Sequence, residues 1–195
     1  MSPWLPYLTG EWPIAFGVAC GVFWFSEWLI AQWMRAGKDD RTDDRGSSLW
    51  FVIVLPLSWF TALALARSPQ GFFGSVPVFV VGLIVMAAGQ LLRWWSVATL
   101  GRLFTINVAI RSGHRLVDSG PYRHMRHPSY TAILLVHVGA ALCLGNVLSA
   151  LALIVPITAV LLNRMRVEED VLASGLGQPY RDYMTRTKRL IPGLY

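Results

Sequence analysis

The run Val76–Trp95, VPVFVVGLIVMAAGQLLRWW, decides the fold: it is twenty residues long and carries one charge, at Arg93. A helix of that length, rising about 1.5 Å per residue, spans a hydrocarbon core of about 30 Å. Trp12–Met34 and Leu49–Ala66 repeat the pattern. All three predict helices, because a lone strand in lipid would leave its backbone groups without partners. Two further runs, Tyr130–Leu144 and Val147–Leu162, are separated only by Gly145 and Asn146. They predict a helical hairpin with legs of about 22–24 Å, its tip tight against the far interface or stopping short of it, and both its ends on one side. A chain with 54% hydrophobic and 14% charged residues therefore reads as one domain over 1–195, an all-α, multi-pass integral membrane protein of about five transmembrane helices.

Charge gives the orientation. The net charge is +6, and sixteen of the seventeen Lys and Arg residues fall on one side of the proposed membrane, with Arg67 alone on the other. That asymmetry places Asp39–Ser47, the 101–128 segment and the C-terminal tail in the cytoplasm. It also accounts for the basic composition without a nucleic-acid partner. The first residues lack a basic n-region and Trp12–Met34 exceeds a signal-peptide core, which predicts no cleavage. Cys20 and Cys143 lie in apolar runs, which predicts reduced packing residues and no metal site.

Local signals refine the picture. Gly17 and Gly21 form a small-xxx-small pair that can let two helices approach. Pro56 and Pro156 predict kinks. Glu27, Gln90 and His137 sit at membrane depth, where such groups face the bundle and find either a structural partner or a ligand. Leu100–Ser119 predicts extended chain or a short hairpin at the interface, and Pro128 suits the first turn of the next helix. The last long helix continues through Arg164 to about Ala173. Arg164 and Glu168, four apart, share a face, which reads blandly as a surface ion pair. Gln178–Arg189 predicts a short basic amphipathic helix with Tyr180, Tyr183 and Met184 toward lipid or protein.

The densest cluster is GPYRHMRHPSY at Gly120–Tyr130. It sets Arg123, His124, Arg126 and His127, with Arg164 from later in the chain, at the mouth of an apolar bundle, and Glu168, Glu169 and Asp170 answer it. Such a grouping asks for an anionic or polar ligand. Together with LGRLFT at Leu100–Thr105, HRLVDSGPYRHMRHPSY at His114–Tyr130, R-x-x-x-E-E at Arg164–Glu169, LGQPYRDY at Leu176–Tyr183 and Pro192, it resembles the isoprenylcysteine carboxyl methyltransferase family. More broadly it resembles the integral membrane methyltransferases that include phospholipid N-methyltransferases. The resemblance covers roughly the C-terminal half. It implies a five-helix bundle that binds S-adenosylmethionine from the cytoplasm, at a site within 101–130 and 164–183, and methylates a lipophilic or prenylated acceptor reached through membrane lipids. It carries the cofactor contacts onto His114, Arg115, Leu116, Val117, Tyr122, His127, Pro128, Ser129, Tyr130 and Glu168. The substrate contact falls on Arg164, which with Glu168 forms the catalytic pair. Ala109 stands where eukaryotic members carry a glutamine cofactor contact, so that contact is either lost or supplied by Asn107.

Residue chemistry is compatible with that assignment. Glu168 suits a cationic group, His127 and the start of the fourth helix suit a carboxylate, and Tyr122 with Leu116 and Val117 suits an adenine ring. Tyr122 and Tyr130 read equally as interfacial anchors. A carboxylate acceptor with a pKa of about 3.5 is ionised at neutral pH and needs no base, and Arg164 can hold it by a bidentate pair. Glu169 or His124 as a base would instead suit an amine or thiol acceptor. A non-catalytic protein whose basic face binds anionic lipid is the reading from another class. The topology is testable by cysteine labelling: Ser112→Cys should resist an impermeant reagent applied to intact cells, and ready labelling there would overturn the orientation.

Overall fold

The structure is a computed structural model that describes residues 10–33, 41–42, 46–104, 109–110 and 116–195. Its helices are α1 (Trp12–Trp33), α2 (Ser47–Leu65), α3 (Val76–Leu100), α4 (Pro128–Leu144), α5 (Val147–Leu176) and α6 (Gln178–Arg186). Short 3-10 turns occupy Gly101–Leu103 and Gly120–Arg123. Among the described residues α1, α3 and α5 are long and apolar enough to cross a membrane, while α4 and the apolar part of α2 are shorter. Pro56 and Pro156 both lie inside continuous helices. The described strand of the 100–119 segment pairs outside it. β2 (Ala109–Ile110) pairs antiparallel with β1 (Arg41–Thr42), Arg41 opposite Ile110, and so ties the α3–α4 connection to the α1–α2 connection.

The α4–α5 hairpin reaches the end of the bundle where α2 and α3 are joined. Gly145 adopts a left-handed conformation with φ 58°, where a side chain would be strained. Asn146, fully buried, caps α5 through Oδ1, which accepts from Leu148 N at 2.9 Å and Ser149 N at 3.2 Å. Its Nδ2 donates to the carbonyls of Ser68 at 2.9 Å and Gln70 at 3.0 Å. Phe73 N and Val147 N close the junction on Gly145 O and Gly71 O. The tip is thus fully hydrogen-bonded against the α2–α3 loop, as backbone groups removed from water require.

The tightest seam is α3 on α4, and glycine makes it. A Cβ at Gly139 would lie 2.6 Å from Gly82 O, and one at Gly89 2.9 Å from Ala132 O. The small-xxx-small pair that the sequence singles out, Gly17 and Gly21, makes no such approach, since nothing lies within 4 Å of either Cβ position. Close backbone contact is therefore assigned to Gly82, Gly89 and Gly139, in helices whose periodicity alone does not rank them.

All three polar residues at membrane depth find partners. Arg93 donates from Nε and Nη2 to the two Glu27 oxygens, 2.8 Å each, and its guanidinium lies 5.3 Å from the Phe104 ring centre. Because α3 runs five residues beyond its sequence-predicted end at Trp95, Arg93 lies well inside the helix. Gln90 Nε2 donates to Ser26 Oγ at 2.9 Å. His137 is a neutral imidazole: Nε2 accepts from Trp59 Nε1 at 3.1 Å and Nδ1 donates to Ile133 O at 2.7 Å. Replacing Gly139 by Leu should cost at least the 1–3 kcal/mol or so of ordinary overpacking. The same change at Gly17 should stay within about 0.5 kcal/mol. Thermal unfolding in micelles reads both, and equal losses would refute the assignment of the seam.

Candidate active site

The site is assembled where the start of α4 meets the far end of α5. Pro128 occupies the first turn of α4, as its missing N–H allows, with His127 as the cap residue. The backbone on either side of His127 is then held by the C-terminal tail. Arg126 N donates to Lys188 O at 2.8 Å, His127 N to Arg189 O at 2.9 Å, and Thr131 Oγ1 to Leu190 O at 2.8 Å. The expected helix over Gln178–Arg189 stops at Arg186, because Lys188 and Arg189 run extended alongside Met125–His127. Tyr183 anchors α6 to the loop, its hydroxyl donating to Tyr122 O at 2.6 Å. Burial pushes that phenol up to about 12, so it remains a donor.

Glu169 is the hub. It is buried, and it accepts from Arg126 Nε at 2.8 Å, from Arg189 Nη2 at 2.6 Å and from His127 Nε2 at 3.2 Å. A carboxylate only accepts, so Nε2 carries the hydrogen and the tautomer of His127 is set. Arg126 Nη1 also donates to Met184 O at 3.0 Å and, closely, to Thr187 O. Glu169 does not line the cavity described next, and its oxygens are taken by three cationic or titratable donors. It is therefore no general base.

A cavity of about 450 Å³ opens beside this hub, within the range of small-molecule sites. Its membrane-depth wall is largely apolar, with Trp24 and Trp28 of α1, Phe51 and Leu55 of α2 and Ile133 of α4, and carries the paired Glu27 and Arg93. At its other end stand Leu116, Val117 and Tyr122 from the loop, Leu172 and Leu176 from α5, and Tyr180 from α6. Burial, then the nearby Glu168 carboxylate, pushes the Tyr122 phenol well above its ordinary value. Between the two ends lies a polar chain: Arg164 Nε donates to Tyr130 Oη at 2.9 Å, and Tyr130 Oη donates to Glu168 Oε2 at 2.6 Å. His127 stacks on Tyr130 with ring centres 5.3 Å apart, and its Nδ1 faces Glu168 Oε2 at 3.7 Å.

The structure brings Leu116, Val117, Tyr122, His127, Ser129, Tyr130, Arg164 and Glu168 onto one cavity. Pro128 is a buried helix-start residue and not a wall. His114, Arg115 and Asn107 lie outside the described residues, as does the side chain of Ala109. Arg164 and Glu168 do share a face, both hydrogen-bond Tyr130 Oη, and Arg164 is buried and not on the surface. Of the basic cluster, Arg126, His127 and Arg164 line the cavity, whereas Arg123 and His124 are exposed and away from it. His124 is thereby removed as a base. Glu27, for which the sequence leaves a structural partner or a ligand open, pairs with Arg93 and also lines the cavity, whereas sequence reading missed Arg93 as a wall. It also missed the role of Arg189, which it places only as the last basic residue of the amphipathic helix Gln178–Arg189. Among the described residues no three His, Cys, Asp or Glu side chains gather to hold a metal.

Comparison with known proteins finds a match over residues 80–174 to the isoprenylcysteine carboxyl methyltransferase (ICMT) family. The chain is 36% identical over 113 residues to protein-S-isoprenylcysteine O-methyltransferase B of Arabidopsis thaliana, spanning 57% of each protein. It is 33% identical over 183 residues to the probable protein-S-isoprenylcysteine O-methyltransferase of Oryza sativa subsp. japonica, covering 91% of this chain and 94% of the rice protein. The solved structure of the eukaryotic intramembrane Ras methyltransferase ICMT superposes with a TM-score of 0.63 at 28% identity, over 75% of this chain and 53% of that one. The fold and these matches make the chain an integral membrane protein. Removing the hub should be costly, since a lost partner strands buried charge at about 3–5 kcal/mol. Glu169→Ala is expected to lower the thermal midpoint sharply and to expose Lys188 and Arg189 to trypsin. An unchanged midpoint with a protected tail would show that Glu169 is not the hub.

Proposed function

Because the chain belongs to the isoprenylcysteine carboxyl methyltransferase family, we propose that it transfers a methyl group from S-adenosylmethionine to the terminal carboxylate of a prenylated cysteine. One observation carries the reading: a single cavity joins an apolar wall at membrane depth to a polar end, with the Arg164–Tyr130–Glu168 relay where the two meet. The relatives' names supply the prenylcysteine acceptor. The basic asymmetry of the sequence supports a polar end that faces the cytoplasm.

The residues at that end fit the methyl donor, with one carboxylate, Glu168, for a cationic group and a slot of Leu116, Val117, Tyr122 and Tyr180 for a flat ring. When bound, S-adenosylmethionine supplies an electrophilic methyl group on a sulfonium, passed on by in-line displacement. Arg164 holds the acceptor carboxylate, which at neutral pH is already ionised and needs no base. Tyr130 fixes Arg164 relative to Glu168, so acceptor and donor sites share one hydrogen-bonded frame. The apolar wall of α1 and α2 receives the prenyl chain and keeps water from the reacting atoms, which favours a step in which opposite charges cancel. His127 and Ser129 shape the start of α4 beneath them, and Arg93 holds Ser129 Oγ by a close hydrogen bond.

The roles separate by mutation. Arg164→Ala should leave S-adenosylmethionine affinity within a few fold while cutting turnover of a prenylcysteine acceptor by about thirtyfold or more, as expected for losing a desolvated charge pair at about 2–5 kcal/mol. Glu168→Gln should weaken cofactor binding by about one to two decades, the value of one charge-assisted hydrogen bond of about 1.5–3 kcal/mol. Calorimetry and labelled methyl transfer measure the two. An amine acceptor methylated at normal rate by the Arg164 variant would sink the carboxyl assignment.

A further inference from the structure

Arg164 of α5 and Arg93 of α3 both line the candidate active site. Both dock on the first turn of α4, Arg164 Nε on Tyr130 Oη at 2.9 Å and Arg93 Nη1, closely, on the neighbouring Ser129 Oγ. Arg93 lies about 10 Å inside α3, measured from its end at Leu100. At such a depth a guanidinium is costly unless an anion meets it. The start of α4 adds to that cost, since a helix N-terminus carries partial positive charge. Glu27 of α1 supplies the anion: its two oxygens accept from Arg93 Nε and Nη2 at 2.8 Å each, a bidentate fit. Glu27 itself lines the cavity, between Trp24 and Trp28. Its side chain is 14% exposed against 6% for Arg93, so the carboxylate is the partner more open to the cavity.

We propose that Glu27 is a positioning residue for methyl transfer that acts through Arg93: by holding this guanidinium it denies the acceptor carboxylate a second cation and leaves that carboxylate to Arg164. The proposal rests on the methyl-transfer reading. Its physical basis is competition inside one cavity of low dielectric, where an unneutralised charge draws any opposite one strongly. Arg93 without Glu27, beside the N-terminus of α4, would be a rival anion site. A carboxylate captured there would be bound tightly yet away from the Arg164–Tyr130–Glu168 relay, where acceptor and donor are brought into line. A misplacement of about 1 Å is enough to cost such a reaction roughly a hundredfold. Losing the Glu27 charge therefore strengthens acceptor binding while it slows the reaction. Loosening of the bundle, as a purely structural residue would cause, weakens the binding as well. The methyl ester product has no carboxylate to be captured, so its binding does not depend on the Glu27 charge.

The test uses the full chain in phosphatidylcholine nanodiscs, with N-acetyl-S-farnesylcysteine as acceptor and its methyl ester as the uncharged control. Glu27→Gln keeps the shape of the side chain and removes its charge. It should cut kcat by about tenfold or more and lower the Kd of the acid, measured by calorimetry without cofactor, by about threefold or more. The Kd values of the ester and of S-adenosylmethionine should stay within about twofold. Glu27→Asp, which keeps the charge at shorter reach, should move kcat and the acid's Kd in the same directions by a smaller factor. Adding Arg93→Met to Glu27→Gln removes the freed guanidinium and should return the acid's Kd to that of the unaltered chain. A Kd for the acid that rises or stays unchanged in Glu27→Gln, an equal change for the ester, or tightening that survives the loss of Arg93 would each overturn the proposal. Normal methylation by the unaltered chain and by Glu27→Gln alike would sink this proposal alone, whereas no methylation of the acid by the unaltered chain would sink the methyl-transfer reading and this proposal with it. Should Glu27→Gln fail to stay monodisperse, Glu27→Asp decides: kcat and the acid's Kd falling together support the proposal, and a Kd that rises or does not move overturns it.

Discussion

One carboxylate holds the candidate site together, and the rest of that end of the molecule follows from it. Glu169 gathers Arg126 and His127 from the loop before α4 and Arg189 from the tail after α6. These groups come from two separate parts of the chain, and without a shared anion the two guanidinium charges would repel. Burying the carboxylate raises the cost of leaving any one of them unpaired, which is why such an arrangement enforces one geometry. The geometry it enforces is useful: with Nε2 of His127 committed to Glu169, the other face of the ring is stacked on Tyr130 and turned toward Glu168. The Arg164–Tyr130–Glu168 relay is thereby built on a rigid support, as precise positioning of a site demands.

The same logic of pairing recurs in the bundle. In lipid no water is available to satisfy stray polar groups, so Glu27 meets Arg93, and His137 lies between Trp59 and Ile133. These bonds sit beside a glycine seam in which α3 and α4 approach to backbone contact. Association inside a membrane lacks a hydrophobic driving force between helices and relies on such close packing and buried hydrogen bonds. The α3–α4 pair can therefore serve as the fixed wall of the cavity.

Much of the fold was legible because membrane thickness and hydrogen-bond saturation leave few options. Length and apolarity located the helices, and Gly145-Asn146 located the hairpin tip. Less legible were features that depend on which face a residue presents. Gly17 and Gly21 have the spacing of a packing motif yet face open space, while Gly82, Gly89 and Gly139 make the contact. Spacing specifies a face of one helix but not whether another helix lies opposite. The end of α3 was placed five residues early because Arg93 reads as an interfacial charge until Glu27, far away in sequence, is known to neutralise it. In the site, eight of the predicted residues share the cavity, since motif and family resemblance both pointed at them. Arg189 and the role of Glu169 stayed hidden, as both arise from the tail folding back, which no local pattern encodes.

That distinction changes how the richest motif is understood. RHMRHPSY, residues 123–130, looks like a string of ligand contacts, and the structure divides it by function. Arg123 and His124 are exposed; Arg126 is spent on Glu169 and on the carbonyls of Met184 and Thr187; Pro128 starts the helix; His127, Ser129 and Tyr130 reach the cavity wall. The Arg126 side chain and the backbone N–H groups of Arg126 and His127 thus build a clasp for the C-terminal tail. The adjacent carboxylates Glu168 and Glu169 split in the same way, about 100° apart on α5, one toward the cavity and the other toward the clasp. A paired acidic motif on a helix is often read as two parts of one chemical task. Here the helical angle between neighbours makes the pair a joint between chemistry and scaffold, so that the residue at the site cannot move without disturbing the residue that holds the tail.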